Sequence, residues 1–106
     1  MSFQLLSHSF AEGGWIPELH SCKGADLSPP LEWSGEPRGV RSFALVIEDP
    51  DAPSGTFCHW LVYDIPPGVH SLAQGLKPGL VGVSGTNDFG RPEYGGPCPP
   101  KGSAHR

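Results

Sequence analysis

Apolar residues along the chain gather into short runs that glycine and proline interrupt before a helix could complete three turns. The longest stretches free of both breakers are residues 1–12, 40–49 and 56–65, whereas an ordinary helix uses about eleven or twelve residues with few breakers. The second and third stretches are rich in Val, Ile, Phe, Trp and Tyr, side chains that suit a pleated surface. Residues 41–48 are apolar on both faces in their middle, and residues 57–65 resemble them until Pro66-Pro67-Gly68 ends the run. Both read as buried strands, so residues 42–48 and 59–65 are predicted to be paired central strands. Residues 3–10 and 80–84 are weaker strand candidates. The pattern predicts a mainly β, antiparallel domain with long Pro/Gly-rich loops. No repeat, heptad or low-complexity block divides residues 1–106, which read as one domain.

Fifteen Gly and thirteen Pro would suggest low complexity if clustered, but they punctuate apolar runs, as in a loop-rich folded domain. The net charge of −4 and seven scattered basic residues argue against nucleic acid or an anionic membrane surface as a partner. No apolar stretch approaches the roughly 18 residues of a membrane span. Met1-Ser2-Phe3-Gln4-Leu5-Leu6 lacks the basic start and apolar centre of a signal peptide, so the expected location is cytoplasmic. Cys22, Cys58 and Cys98 form no CxxC pair and are too few for a disulfide framework, which leaves one bridge open. After Gly85 the sequence becomes loop-like and ends at Ala104-His105-Arg106, as expected of a free tail or of a fragment of something longer.

Three segments carry candidate chemistry. Asp49-Pro50-Asp51-Ala52-Pro53 follows the strongest strand; its two carboxylates could face one cavity on a proline-stiffened backbone, although turn chemistry alone explains the motif. His59 lies inside an apolar strand, where an imidazole is more often a satisfied core group. A strand–turn–strand path could nevertheless bring Asp49 or Asp51 beside it. Tyr94-Gly95-Gly96-Pro97-Cys98-Pro99-Pro100 offers glycines that permit close approach and amides that could cradle an anion, and His105 could donate to an anionic oxygen. No HxH, HExxH or CxxC spacing supports a metal, and there is no phosphate-loop or GxSxG signature. A small hydrolase using Asp49 and His59 is the competing enzymatic reading, but no nucleophile pairs with that histidine; an inactive truncated fragment is the other alternative.

Taken in order, the strand followed by Asp49-Pro50-Asp51-Ala52-Pro53, then His59-Trp60, then a Gly/Pro-rich loop ending in His105-Arg106 resembles the phosphatidylethanolamine-binding protein family, in particular its bacterial and archaeal Raf-kinase-inhibitor-like branch. Ile16-Pro17, Cys22-Lys23-Gly24-Ala25-Asp26-Leu27-Ser28-Pro29-Pro30-Leu31-Glu32-Trp33 and Asn87-Asp88-Phe89-Gly90 share the likeness, which spans nearly the whole chain. The resemblance implies a β fold with one small cavity for a phosphate-like or carboxylate anion, such as phosphate or a phosphoethanolamine head group. It builds that cavity from Asp49, Asp51, His59, Gly96 and His105, with Pro97 and Pro99 shaping its wall. The leading reading is an anion-binding module of this family without catalytic turnover, and no cofactor is expected; by analogy the resemblance suggests a role in regulating or inhibiting other proteins, such as kinases or serine proteases. Family chains continue past His-Arg with a cavity tyrosine and further strands. This sequence corresponds to the N-terminal two thirds of such a domain and is expected to expose a hydrophobic edge. Cys22 and Cys98 both fall in polar, turn-rich segments and are expected to lie close enough to bridge under oxidising conditions, with Cys58 buried and inert in its strand.

Overall fold

The computed structural model describes residues 2–53 and 55–98. Six strands and one 3-10 turn follow each other in the order β1 (Gln4–Leu6), the 3-10 turn (Glu18–His20), β2 (Leu31–Ser34), β3 (Phe43–Asp49), β4 (Phe57–Ile65), β5 (Ser71–Leu72) and β6 (Val83–Ser84). They form two antiparallel three-stranded sheets, β1-β2-β5 and β3-β4-β6. Strand periodicity explains which side chains go inward. Leu31 and Trp33 of β2 are buried while Ser34 is exposed, and Phe43 and Leu45 of β3 are buried while Ala44, Val46 and Glu48 are exposed. These residues meet Trp60, Val62, Ile65 and Leu72 in one core shared by both sheets.

The two predicted central strands pair with each other, but of these two only β4 has a neighbour on both sides among the described residues. The first of them, β3, lies at the edge of its sheet, which corrects the expectation. Its apolar character on both faces does not come from burial on both: Val46 points outward and is 47% exposed. Only residues 4–6 and 83–84 of the two weaker candidates form strand. Strands β2 and β5 had no sequence prediction; they are short and flanked by Pro30, Gly35 and Gly75.

The β3–β4 register carries two irregularities. Phe43 faces Ile65 while Leu45 faces Val62, so β4 accommodates one extra residue around Tyr63 and Asp64, and Asp64 adopts the left-handed conformation (φ 53°). The second matters more. Ile47 faces Trp60 and its neighbour Glu48 faces Cys58, so His59 is the extra residue of a β-bulge. A bulge re-aims side chains locally, and here the adjacent residues His59 and Trp60 are both buried.

No helix among the described residues is long and apolar enough to cross a membrane.

Candidate functional site

His59, 6% exposed, packs its ring against Phe57 (centroids 4.9 Å apart) and Phe89 (5.6 Å). Its Nδ1 lies 2.7 Å from the Gly95 carbonyl oxygen. A carbonyl only accepts, so Nδ1 carries the proton and the tautomer is set. The Gly95 amide in turn donates to the His59 carbonyl at 3.0 Å. With Nδ1 committed, Nε2 is the ring's second polar atom: an acceptor when the imidazole is neutral and a donor only when it is charged.

Asp49, the last residue of β3, stands directly opposite Phe57. Directly opposed residues share a face of the sheet, and the ring of Phe57 packs on that of His59. Asp49 and His59 therefore lie on one face. The Asp51 amide donates to Asp49 Oδ1 at 2.9 Å, so the motif is also a side-chain-stabilised turn, with Asp51 at its exposed part.

Gly95 and Gly96 are buried, and their amides do not face solvent. The Gly95 amide is bonded to His59, and the Gly96 amide donates to Asp26 Oδ1 at 2.8 Å. This differs from the expected exposed amide cradle, and the physical reason is packing. A Cβ on Gly95 would stand 2.4 Å from the Phe89 ring, and one on Gly96 would stand 2.3 Å from the His20 carbonyl oxygen and 2.9 Å from the Ser21 Cα. The glycines admit the protein's own backbone. Pro97 lies beside them, its carbonyl accepting from the Cys22 amide at 3.2 Å. Pro99 and His105 lie outside the described residues.

Several residues that organise this region were not singled out from the sequence for that role. Asn87, 4% exposed, donates through Nδ2 to the carbonyls of His59 (3.0 Å) and Glu93 (2.7 Å) and accepts at Oδ1 from the amides of Phe89 (3.0 Å) and Arg91 (3.1 Å). Every hydrogen-bonding capacity of its side chain is used. The Gly90 amide donates to the Asn87 carbonyl, and Gly90 has φ 79°; an Asn followed three residues later by Gly is a turn signal that could have found it. Asp88 closes a second clasp on β4, its amide donating to the Cys58 carbonyl (2.9 Å) and its Oδ2 accepting from the Cys58 amide (2.7 Å).

On the outer side, residues 94–98 are fastened to residues 18–27. The Tyr94 hydroxyl donates to the His20 carbonyl at 2.7 Å; burial, with the Asp26 charge adding to it, pushes that hydroxyl well above its ordinary range, so it stays protonated. His20 is fully buried and its Nδ1–H donates to the Leu27 carbonyl. Cys22 and Cys98 form a disulfide with a Cα–Cα separation of 5.4 Å, as the sequence led us to expect. Cys58 is half-buried rather than buried, and burial first, then the Asp88 and Glu48 charges, raise its thiol pKa despite the opposing bond to the Trp60 carbonyl.

A family model described as phosphatidylethanolamine-binding protein matches residues 6–106. The chain is 47% identical over 105 residues to a UPF0098 protein of Aquifex aeolicus, covering 96% of this chain and 61% of that protein. It is 50% identical over 97 residues to a UPF0098 protein of Mycobacterium bovis, covering 92% of this chain and 46% of that protein. Two crystal structures share the fold at 40% identity. Escherichia coli YbcL, described as a member of the mammalian phosphatidylethanolamine-binding protein family, superposes with a TM-score of 0.88 over 97% of this chain and 71% of its own. Chlamydia trachomatis CT736, described as a homolog of that protein, superposes with a TM-score of 0.86 over 94% and 67%. The chain thus spans about half to two thirds of the curated relatives it matches.

Proposed function

We propose that the chain, which belongs to the phosphatidylethanolamine-binding protein family, binds a small anionic group beside His59 without chemically transforming it. The observation that carries this reading is the committed Nδ1 of His59. A buried ring with one nitrogen fixed by Gly95 is held in a single orientation, and its charged form presents Nε2–H as a strong donor to a phosphate or carboxylate oxygen. Asp49, on the same face, places a carboxylate acceptor within the site for a ligand ammonium such as that of phosphoethanolamine. Asp51 holds the turn that carries Asp49. Gly96 and Pro97 serve as wall rather than as donors, because the Gly96 amide is engaged by Asp26. Pro99 and His105 complete the residue set that the family likeness suggests.

Family likeness extends the reading to control of other proteins, kinases or serine proteases among them. Calorimetric titration with phosphate and phosphoethanolamine, run beside an ester-hydrolysis assay, tests it. Saturable binding without turnover is expected. Turnover lost in the His59→Ala variant would replace this reading with the hydrolytic one.

A further inference from the structure

We propose that the Cys22–Cys98 disulfide is a redox-operated fastener for the segment that orients His59, so that a dithiol reductant loosens residues 95–98 without dismantling the two sheets. Gly95 is the residue that fixes both the ring and the backbone of His59, and it belongs to neither sheet. Residues 94–98 are held on their outer side by four ties to residues 18–27. Three are single hydrogen bonds: Tyr94 to the His20 carbonyl, the Gly96 amide to Asp26, and the Cys22 amide to the Pro97 carbonyl. The fourth is the disulfide, the one covalent tie, which joins positions 76 residues apart.

Its position suits exchange with a soluble reductant. Cys22 and Cys98 are both exposed, and access is one determinant of thiol–disulfide exchange. The third cysteine, half-buried Cys58 with its raised thiol pKa, is poorly placed to compete. A thiolate of the dithiol attacks one cysteine sulfur, forming a mixed disulfide and releasing the other cysteine as a thiolate that takes up a proton. The reductant's second thiolate then displaces the first cysteine, which is likewise protonated. The dithiol leaves as a cyclic disulfide, and two electrons and two protons have passed to the protein.

The consequence for the ligand rests on the anion-binding reading; the loosening does not. The core is built on Phe43, Leu45, Trp60, Val62, Ile65 and Leu72; of the fastened segment, Tyr94 packs against it through Trp60, and residues 95–98 contribute nothing to it. Reduction thus removes the covalent tie from residues 95–98, which are then held to residues 18–27 by hydrogen bonds, each individually weak in net terms, and by the close packing of Gly96 on the His20–Ser21 backbone. With Tyr94 anchored on the core and the bridge open, residues 95–98 open locally before the sheets do.

Backbone amide NMR of the whole chain, oxidised and after treatment with dithiothreitol, tests the fastener, with a Cys22→Ser/Cys98→Ser variant as the chemically irreversible counterpart. The order parameters of the Gly95 and Gly96 amides should fall from about 0.85 toward or below about 0.6 in both open forms while those of β3 and β4 hold. Calorimetry on the same samples should show phosphate affinity reduced by about tenfold or more, in line with ordering costs met on binding. Unchanged order at Gly95 and Gly96 once mass spectrometry shows the bridge open would overturn the proposal. So would loss of the β3 and β4 signals together with them, which would make the bridge a general staple. If the oxidised protein fails to bind phosphate, the anion reading falls alone, and the order parameters still decide the fastener.

Discussion

His59 and Gly95 hold each other twice: the imidazole Nδ1–H donates to the Gly95 carbonyl at 2.7 Å, and the Gly95 amide donates to the His59 carbonyl at 3.0 Å. One bond fixes the ring and the other fixes the backbone that carries it. The bulge supplies the geometric opportunity, because it puts His59 out of step with β3 and leaves it buried beside the buried Trp60.

Asn87 is the support behind this pair, since its Nδ2 shares the His59 carbonyl with the Gly95 amide. Asn87→Ala would leave the His59 carbonyl to the Gly95 amide alone and take a partner from the partly buried Glu93 carbonyl and the Phe89 and Arg91 amides, and should cost about 1–3 kcal/mol. Urea denaturation at neutral pH measures this. A loss below about 0.5 kcal/mol, the range of an ordinary surface change, would show that these bonds carry little.

Gly96 is required by packing. Gly96→Ala places a Cβ against the His20 carbonyl and the Ser21 Cα, backbone atoms that cannot rotate away, and should destabilise by about 1–3 kcal/mol. Gly68, which has open space around its Cβ position, is the matched control: Gly68→Ala should stay within about 0.5 kcal/mol of the parent. Thermal unfolding of both variants checks the contrast, and equal midpoints would contradict it.

How much of this was legible in the sequence follows from the range of the forces involved. The β3 and β4 runs were readable because burial writes itself into local composition, and the Cys22–Cys98 pairing because both cysteines stood in turn-rich segments. The edge position of β3 was not, because an apolar outward residue such as Val46 looks the same whether covered or exposed. Strands β2 and β5 escaped because their pairing is a long-range event: Leu31 faces Leu72, and neither short run announces itself. The candidate site divides in the same way. Asp49 and His59 were visible as residue types and are on one face. The bulge that aims His59 is a register property no single strand encodes, and the Gly95–Gly96 pair suggested ligand contact where the structure has backbone contact. Asp26 was quoted only within a motif; its bond to Gly96 spans 70 positions.

An ion pair away from the site gives a pH signature of its own. His70 and Glu36 form an exposed ion pair, and the hydrogen bond between them is the largest cause of both a lowered Glu36 carboxyl and a raised His70 imidazole. The histidine's contribution to stability is fully present below its ordinary value of 6.5 and is lost as pH rises through its elevated folded value. The carboxylate's contribution is fully present above 4.5 and is lost as pH falls through its depressed folded value. The pair should therefore stabilise most between those limits, modestly because it is exposed. Melting temperatures of the parent and His70→Gln should diverge in that window and converge on both sides. A difference that does not vary with pH would contradict this.

The most direct test of the anion site is calorimetric titration of the parent and the His59→Ala variant with sulfate under identical conditions. The parent should bind sulfate saturably, with Nε2–H of the Gly95-anchored ring as the principal donor. His59→Ala, with its β-sheet circular dichroism retained, should lose affinity by about tenfold or more. Equal affinities for the two proteins would contradict the assignment of His59 as the anion's principal donor.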